Sequence, residues 1–114
     1  MEAKRSDCPI AAALDVFGDR WTLLLVRDIG LFGKHRNKDF QDGAEGIPSN
    51  ILADRLRRLV ATGLVVRRRY QAHPPRYEYH LTEAGAALLP ILEAMALWAK
   101  DHIAGVRLPP LPGD

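Results

Sequence analysis

The sequence predicts a small α+β domain, mostly helical, carrying a two-stranded hairpin. Three observations support this. In four stretches apolar side chains recur every three or four residues, the period of an amphipathic helix, whereas over residues 64–81 they alternate, the period of a strand. Gly, Pro, Ser and Asp fall between these stretches, where caps and turns need them. Finally, 114 residues, 47% of them apolar, suffice for one core and not for two. A single domain over residues 1–105 is expected, followed by a loose proline-rich tail over 106–114. Aromatic residues make up only 7%, so aliphatic side chains must fill the core.

Pro9 suits the first turn of a helix in which Ile10, Ala13, Leu14 and Phe17 follow at helical spacing until Gly18 ends the run. Asp19 is a good N-cap for a second helix. There Trp21, Leu24, Leu25 and Asp28 to Ile29 keep the period while Leu23 and Val26 make it apolar on most sides, which places it centrally. A cationic loop of Lys34, His35 and Arg36 then leads to one or two helical turns over residues 37–42. Pro48 and Ser49 open the next helix, Ser49 as an acceptor for its free amides, and Gly63 closes it after Thr62.

At 100° per residue Leu52, Leu56 and Leu59 lie within about 60° of arc, so this stripe faces the core. Asn50, Asp54, Arg57, Arg58 and Ala61 gather on the opposite face. Arg55 falls at the edge of the stripe, where an ion pair or a phosphate contact suits it better than reading a base. From Leu64 the period is two: Leu64, Val66, Arg68 and Tyr70 point one way, and Val65, Arg67 and Arg69 the other. On that alternation Arg68 points inward. Tyr77, Tyr79 and Leu81 alternate again after a turn holding Pro74 and Pro75, so a hairpin with Arg76 at its tip is expected. Thr82 opens one last helix, bent at Pro90, in which Leu88, Ile91, Leu92, Met95 and Trp98 recur at helical spacing. These five offer more apolar surface than so small a monomer can cover, which makes them the expected interface of a homodimer.

The formal charge of +2 conceals a gradient. Residues 47–80 hold seven arginines (Arg55, Arg57, Arg58, Arg67, Arg68, Arg69 and Arg76) against Asp54 and Glu78, while the flanking parts are slightly acidic. A charge run is more often only a solvated face. Here, however, the arginines fall on the outer side of a capped helix and on the hairpin that follows it. Helix, helix, short helix, capped helix, hairpin and terminal helix is the order of a winged helix-turn-helix, in which one helix enters the major groove of DNA and the hairpin lies along the backbone or minor groove. Double-stranded DNA is therefore the expected partner. Asn50 can pair with adenine at two points, and Arg57 and Arg58 can reach guanine or phosphate. Arg67, Arg69 and Arg76 would contact phosphate, with Arg76 best placed for the minor groove. Asp54 shares the reading face with them.

The residues also resemble a known family. Cys8-Pro9-Ile10, Arg20-Trp21-Thr22-Leu23-Leu24, Asp39-Phe40-Gln41, residues 50–59 (NILADRLRRL), Gly63-Leu64-Val65, Pro74-Pro75-Arg76-Tyr77-Glu78-Tyr79, Leu81-Thr82 and Gly85 are similar in order and spacing to HxlR-type transcriptional regulators over about residues 8–103. Asn37 departs from the pattern, standing where an aromatic or apolar residue is usual. The resemblance implies a homodimer built from the first and last helices that places two recognition helices on a pseudo-palindromic operator. It puts DNA reading on Ser49, Asn50, Arg57 and Arg58, and on the wing at Arg76. Some regulators of this type use an N-terminal cysteine to sense oxidants, quinones or aldehydes, which makes Cys8 a candidate redox sensor.

Cys8 precedes a helix N-terminus, where partial positive charge favours a thiolate; an inert packed thiol is an equal alternative. It is the sole cysteine, so a disulfide would join two chains or take up a small thiol. Trp21 and Trp98 could line a pocket for a small-molecule effector, although core packing is the stronger expectation. The four histidines lack ligand spacing, so neither metal nor cofactor is expected. An enzyme is excluded by the absence of a glycine-rich phosphate loop, a nucleophile elbow or a paired-His motif. The rival reading is a winged-helix module that docks on protein, because fold alone does not set activity. Such a wing would expose apolar or mixed-sign residues. The longest apolar run, residues 21–26, falls far short of the roughly 20 residues that cross a bilayer, and no secretory signal is visible, so the expected compartment is the cytoplasm.

Overall fold

A computed structural model of the chain describes residues 6–108. Most of the expected tail, residues 109–114, lies outside them. Eight elements follow in order: α1 (Pro9–Phe17), α2 (Thr22–Gly30), α3 (Asn37–Gln41), α4 (Ser49–Ala61), β1 (Val65–Gln71), β2 (Arg76–Leu81), α5 (Glu83–Ala86) and α6 (Leu89–His102). No helix among the described residues is long and apolar enough to cross a membrane.

The core forms where the apolar stripes of α2 and α4 meet. Leu25, Val26 and Ile29 from α2 join Leu52, Leu56 and Leu59 from α4, and Phe40, Ile47, Leu64, Val65 and Leu88 close the cluster. Full burial of each such side chain contributes about 1.5–3 kcal/mol. Buried Asp28 was not distinguished in the sequence from its apolar neighbours. Its Oδ1 accepts from Arg27 Nε at 3.0 Å and Nη2 at 2.8 Å, and the same guanidinium reaches Glu45 at 2.8 and 3.0 Å, pinning the loop before α4 to α2.

Asp19 does not take the N-cap of α2, which falls on Trp21 with no side-chain cap bond; its carboxylate holds the start of the helix from two residues further back. Its Oδ2 accepts from the backbone N–H groups of Trp21 and Thr22, each at 3.1 Å, and its Oδ1 from the Thr22 hydroxyl. The same Oδ2 accepts from Arg55 Nε at 2.8 Å, so the ion pair anticipated for Arg55 ties α4 to the turn between α1 and α2. Burial alone would raise the Asp19 pKa, but the bonds from Thr22, Arg55 and Trp21 outweigh it and hold the pKa at about 2.

β1 and β2 pair antiparallel, with Val65 opposite Leu81, Arg67 opposite Tyr79 and Arg68 opposite Glu78. The loop before α3 adds to the outer edge of β2: Tyr79 N–H donates to the His35 carbonyl at 2.8 Å, and His35 Nδ1–H donates to the Tyr79 carbonyl at 2.9 Å. Arg68 does not point inward. Val65 is buried and Val66 exposed, so the face shared by Val66 and Arg68 is the outer one; the inner face packs on the core through Leu81 and half-buried Tyr79, while Arg67, opposite Tyr79, is already exposed.

The single bent helix expected after Thr82 is two helices. Thr82 Oγ1 accepts from Gly85 N–H at 3.2 Å to start the one-turn α5, and the chain then breaks at residues 87 and 88. Pro90 lacks an amide hydrogen and its ring would collide with the carbonyl four residues earlier, so it lies in the first turn of α6 instead of inside a longer helix. The break turns Leu88 into the core, which removes it from the expected dimer surface. Gly85 makes the docking of α5 feasible, because a Cβ there would lie 2.0 Å from the Leu64 carbonyl oxygen.

Asp19 yields a test. Its carboxyl titrates lower in the folded chain than in the unfolded one, so its contribution is complete above about pH 4 and is lost as the pH falls toward 2. Asp19→Asn should therefore lower stability at pH 7 by about 1–2 kcal/mol, with the gap to the unsubstituted chain closing in acid. Urea unfolding at both pH values measures this, and a gap that does not depend on pH would contradict it.

Candidate nucleic-acid interface

With Leu52, Leu56 and Leu59 buried, the opposite side of α4 has to face solvent. Asn50, Arg57 and Arg58 are exposed there, as is Ser49 at the start of the helix. Ser49 does not cap α4, contrary to expectation. Pro48 takes the N-cap position in an extended conformation and has no side chain to accept a bond, and Ser49 is already inside the helix. The N-terminal amides of this 13-residue helix are thus left without a side-chain cap. They lie beside Ser49 and Asn50. At the other end Gly63, at φ +80°, reverses the chain into β1 with the left-handed geometry that glycine tolerates best.

Asp54 has a defined role in the geometry. Its carboxylate bonds to Arg55 Nη1 through one oxygen and to Arg57 Nη2 through the other at 3.3 Å. A chain of alternating charge, Asp19, Arg55, Asp54 and Arg57, therefore runs from the α1–α2 turn to the exposed face of α4.

On the hairpin Arg67 and Arg69 share one face, Arg68 lies on the other, and Arg76 begins β2 opposite Gln71; all four are exposed. The Arg67 guanidinium lies 4.0 Å from the centre of the Tyr77 ring, the diagonal neighbour on its own face. Around the outer face a polar cluster forms that sequence reasoning missed. The Arg36 guanidinium stands 4.0 Å from the Tyr70 ring centre and donates to Glu78 Oε2 from Nε at 3.3 Å and Nη2 at 3.2 Å. His80 Nε2 lies 3.4 Å from Glu78 Oε1, and the His80 ring stacks on His35 at 4.2 Å between centroids. The His80 hydrogen bond, followed by Arg36, lowers the Glu78 pKa. The signal available in the sequence was that Glu78 is the only acid in a hairpin of arginines and follows a cationic loop.

A second surface is apolar. Ile91, Met95 and Trp98 are exposed along α6, with Leu92 half-buried. Trp98 is 60% exposed and stacks on His102 at 5.0 Å, so it is not a core residue among those described, whereas Trp21 does pack against the core. α1 buries no residue: Ile10 is 71% and Leu14 52% exposed. Between α2 and α6 runs a groove of about 1170 Å³ lined by Leu23, Leu24, Phe32, Leu89, Leu92 and Met95. Cys8 is an exposed free thiol at the N-cap of α1, its amide bonded to Ser6 Oγ at 3.2 Å.

Comparison with known proteins supports the same architecture. The HxlR-like helix-turn-helix family matches residues 16–106. The HTH-type transcriptional regulator Rv3095 of Mycobacterium tuberculosis is 37% identical over 102 residues, covering 90% of this chain and 63% of that protein; the chain thus spans less than two thirds of that relative. The crystal structure of PA1607 superposes with a TM-score of 0.81 at 39% identity, covering 97% of this chain and 80% of the other. The redox regulator HypR in its reduced form gives a TM-score of 0.76 at 35% identity, covering 85% of this chain and 95% of that one. The fold is a winged helix-turn-helix with a two-stranded wing, and the chain belongs to the HxlR-like helix-turn-helix family of transcriptional regulators.

Proposed function

We propose that the chain is a sequence-specific DNA-binding regulator that acts as a homodimer on a pseudo-palindromic operator. The observation that carries this reading is the exposure of Asn50, Arg57 and Arg58 on the solvent face of α4 together with Arg67, Arg69 and Arg76 on the adjoining hairpin. α4 enters the major groove, where Asn50 pairs with adenine and Arg57 and Arg58 reach guanine or phosphate. Ser49 and the uncapped amides beside it meet a phosphate at the positive end of the helix. Asp54 holds Arg55 and orients Arg57. The wing arginines contact the backbone and set the salt dependence. A wing that docked on protein would not present four arginines against one acid.

The dimer joins α1 and α6. Ile10 and Leu14 on one helix, and Ile91, Met95 and Trp98 on the other, need a cover that the described residues do not provide. The radius of gyration, 15.0 Å, exceeds the roughly 13 Å of a compact domain of about this length, as expected if part of the core is completed by a second copy. The α2–α6 groove offers a seat for the partner's first helix. Cys8, exposed at the start of that helix, is the point at which an oxidant or electrophile would act on the dimer.

Gel-shift titrations at several salt concentrations test the DNA reading. Asn50→Ala should relax base preference by about 1–3 kcal/mol, and Arg76→Ala should weaken binding evenly across sequences; equal losses on operator and random duplex for both variants would contradict this division. Sedimentation at micromolar concentration should show a dimer that Met95→Glu weakens, and a monomeric unsubstituted chain would rule the interface out. Cys8→Ser should keep operator affinity but lose any response to a thiol oxidant; an undiminished response would remove Cys8 from the mechanism.

A further inference from the structure

The polar cluster behind the wing points beyond the residues assigned to DNA contact. Arg36 belongs neither to α4 nor to the hairpin, yet its guanidinium touches both strands: it covers Tyr70 of β1 at 4.0 Å and bonds to Glu78 of β2 at 3.2 and 3.3 Å. One residue earlier His35 exchanges two hydrogen bonds with Tyr79, so the same short loop holds the edge of β2. Glu78 is the only carboxylate of the hairpin, and in the strand register it stands opposite Arg68. Opposite charges directly across an antiparallel pair attract, so a Glu78 without another partner would turn to Arg68.

We propose that Arg36 is a positioning residue of the DNA interface: by taking Glu78 it leaves Arg68 to the duplex and braces both strands of the wing against the loop before α3. The proposal rests on the DNA-binding reading above. Without Arg36 the carboxylate keeps only the 3.4 Å contact of one oxygen with His80, and its freed oxygen either pairs with Arg68, withdrawing a cation from the wing, or faces the duplex and repels phosphate. Both consequences disappear if the carboxylate is removed as well. A direct phosphate contact by Arg36, which is half-exposed, predicts instead a loss that no change at Glu78 repairs.

The test uses the full chain with Arg36→Gln, Glu78→Gln and the double substitution, titrated on a fluorescent duplex carrying the sequence that the unsubstituted chain enriches from genomic fragments. Arg36→Gln should weaken binding about three- to fivefold, the scale of one half-exposed ion pair, and lower the slope of log affinity against log salt by about one. Glu78→Gln alone should bind at least as tightly as the unsubstituted chain. The double variant should recover both the affinity and the slope. A double variant as weak as Arg36→Gln, or an Arg36→Gln that binds normally, overturns the proposal while leaving the DNA reading intact. An unsubstituted chain that binds no duplex overturns the DNA reading, and the proposal with it.

Discussion

Leu52, Leu56 and Leu59 leave α4 one way to lie. Their burial against Leu25, Val26 and Ile29 contributes several kcal/mol that no arrangement of the polar residues on the opposite face could match, since an exposed ion pair contributes at most about 1 kcal/mol. Asn50, Arg57 and Arg58 are therefore pushed outward by what happens behind them. The same core receives Leu64 and Val65 at the root of the hairpin, so the wing leaves the domain beside α4 at a fixed place. The candidate interface is in this sense a by-product of packing: a hydrophobic stripe on one side of a helix decides where the cations on the other side stand.

Arginine is used in two distinct ways. Arg27 and Arg55 lie between elements and are satisfied by carboxylates, Arg27 by Asp28 and Glu45, Arg55 by Asp19 and Asp54. A planar guanidinium with several donors suits such places, because it can hold two acids in different segments at once. Arg58, Arg68, Arg69 and Arg76 stand on exposed surface, where the same donors are presented outward. Arg57 and Arg36 connect the two groups, since each is exposed and also bonded to an acid. The charge gradient along the chain thus maps partly onto framework and partly onto surface.

The ends of the chain obey a different constraint. α1 and α6 carry apolar residues at helical spacing that the described residues leave exposed, and the break before Pro90 orients α6 so that Leu88 and Leu89 face inward while Ile91, Met95 and Trp98 do not. So much apolar surface left open among the described residues is the physical reason why a dimer belongs to the proposed function.

Much of this was legible in the residues themselves. Periodicity, punctuated by proline and glycine, located α1, α2, α4 and the hairpin, although neither Asp19 nor Ser49 takes the N-cap expected of it, and the 100° spacing separated the buried stripe of α4 from its cationic face, because both are local properties of a repeating backbone. The edge position of Arg55 on that stripe suggested an ion pair or a phosphate contact, and Asp19 and Asp54 supply the former. Other features depended on segments far apart in the chain. The inner face of β1 was assigned the wrong way round because alternation gives two sides without saying which meets the core, and the buried partner of Leu81 is Val65. Leu88 looked like part of a continuous exposed stripe until the break before Pro90 rotated it inward. The meeting of Arg36, Tyr70 and Glu78 spans 42 residues between its two charges, a distance that only the closure of the loop onto β2 removes. Sequence by itself determined which faces exist, since it sets the order of apolar and charged groups along each element; tertiary structure alone decided which faces touch, because that depends on where the core stops.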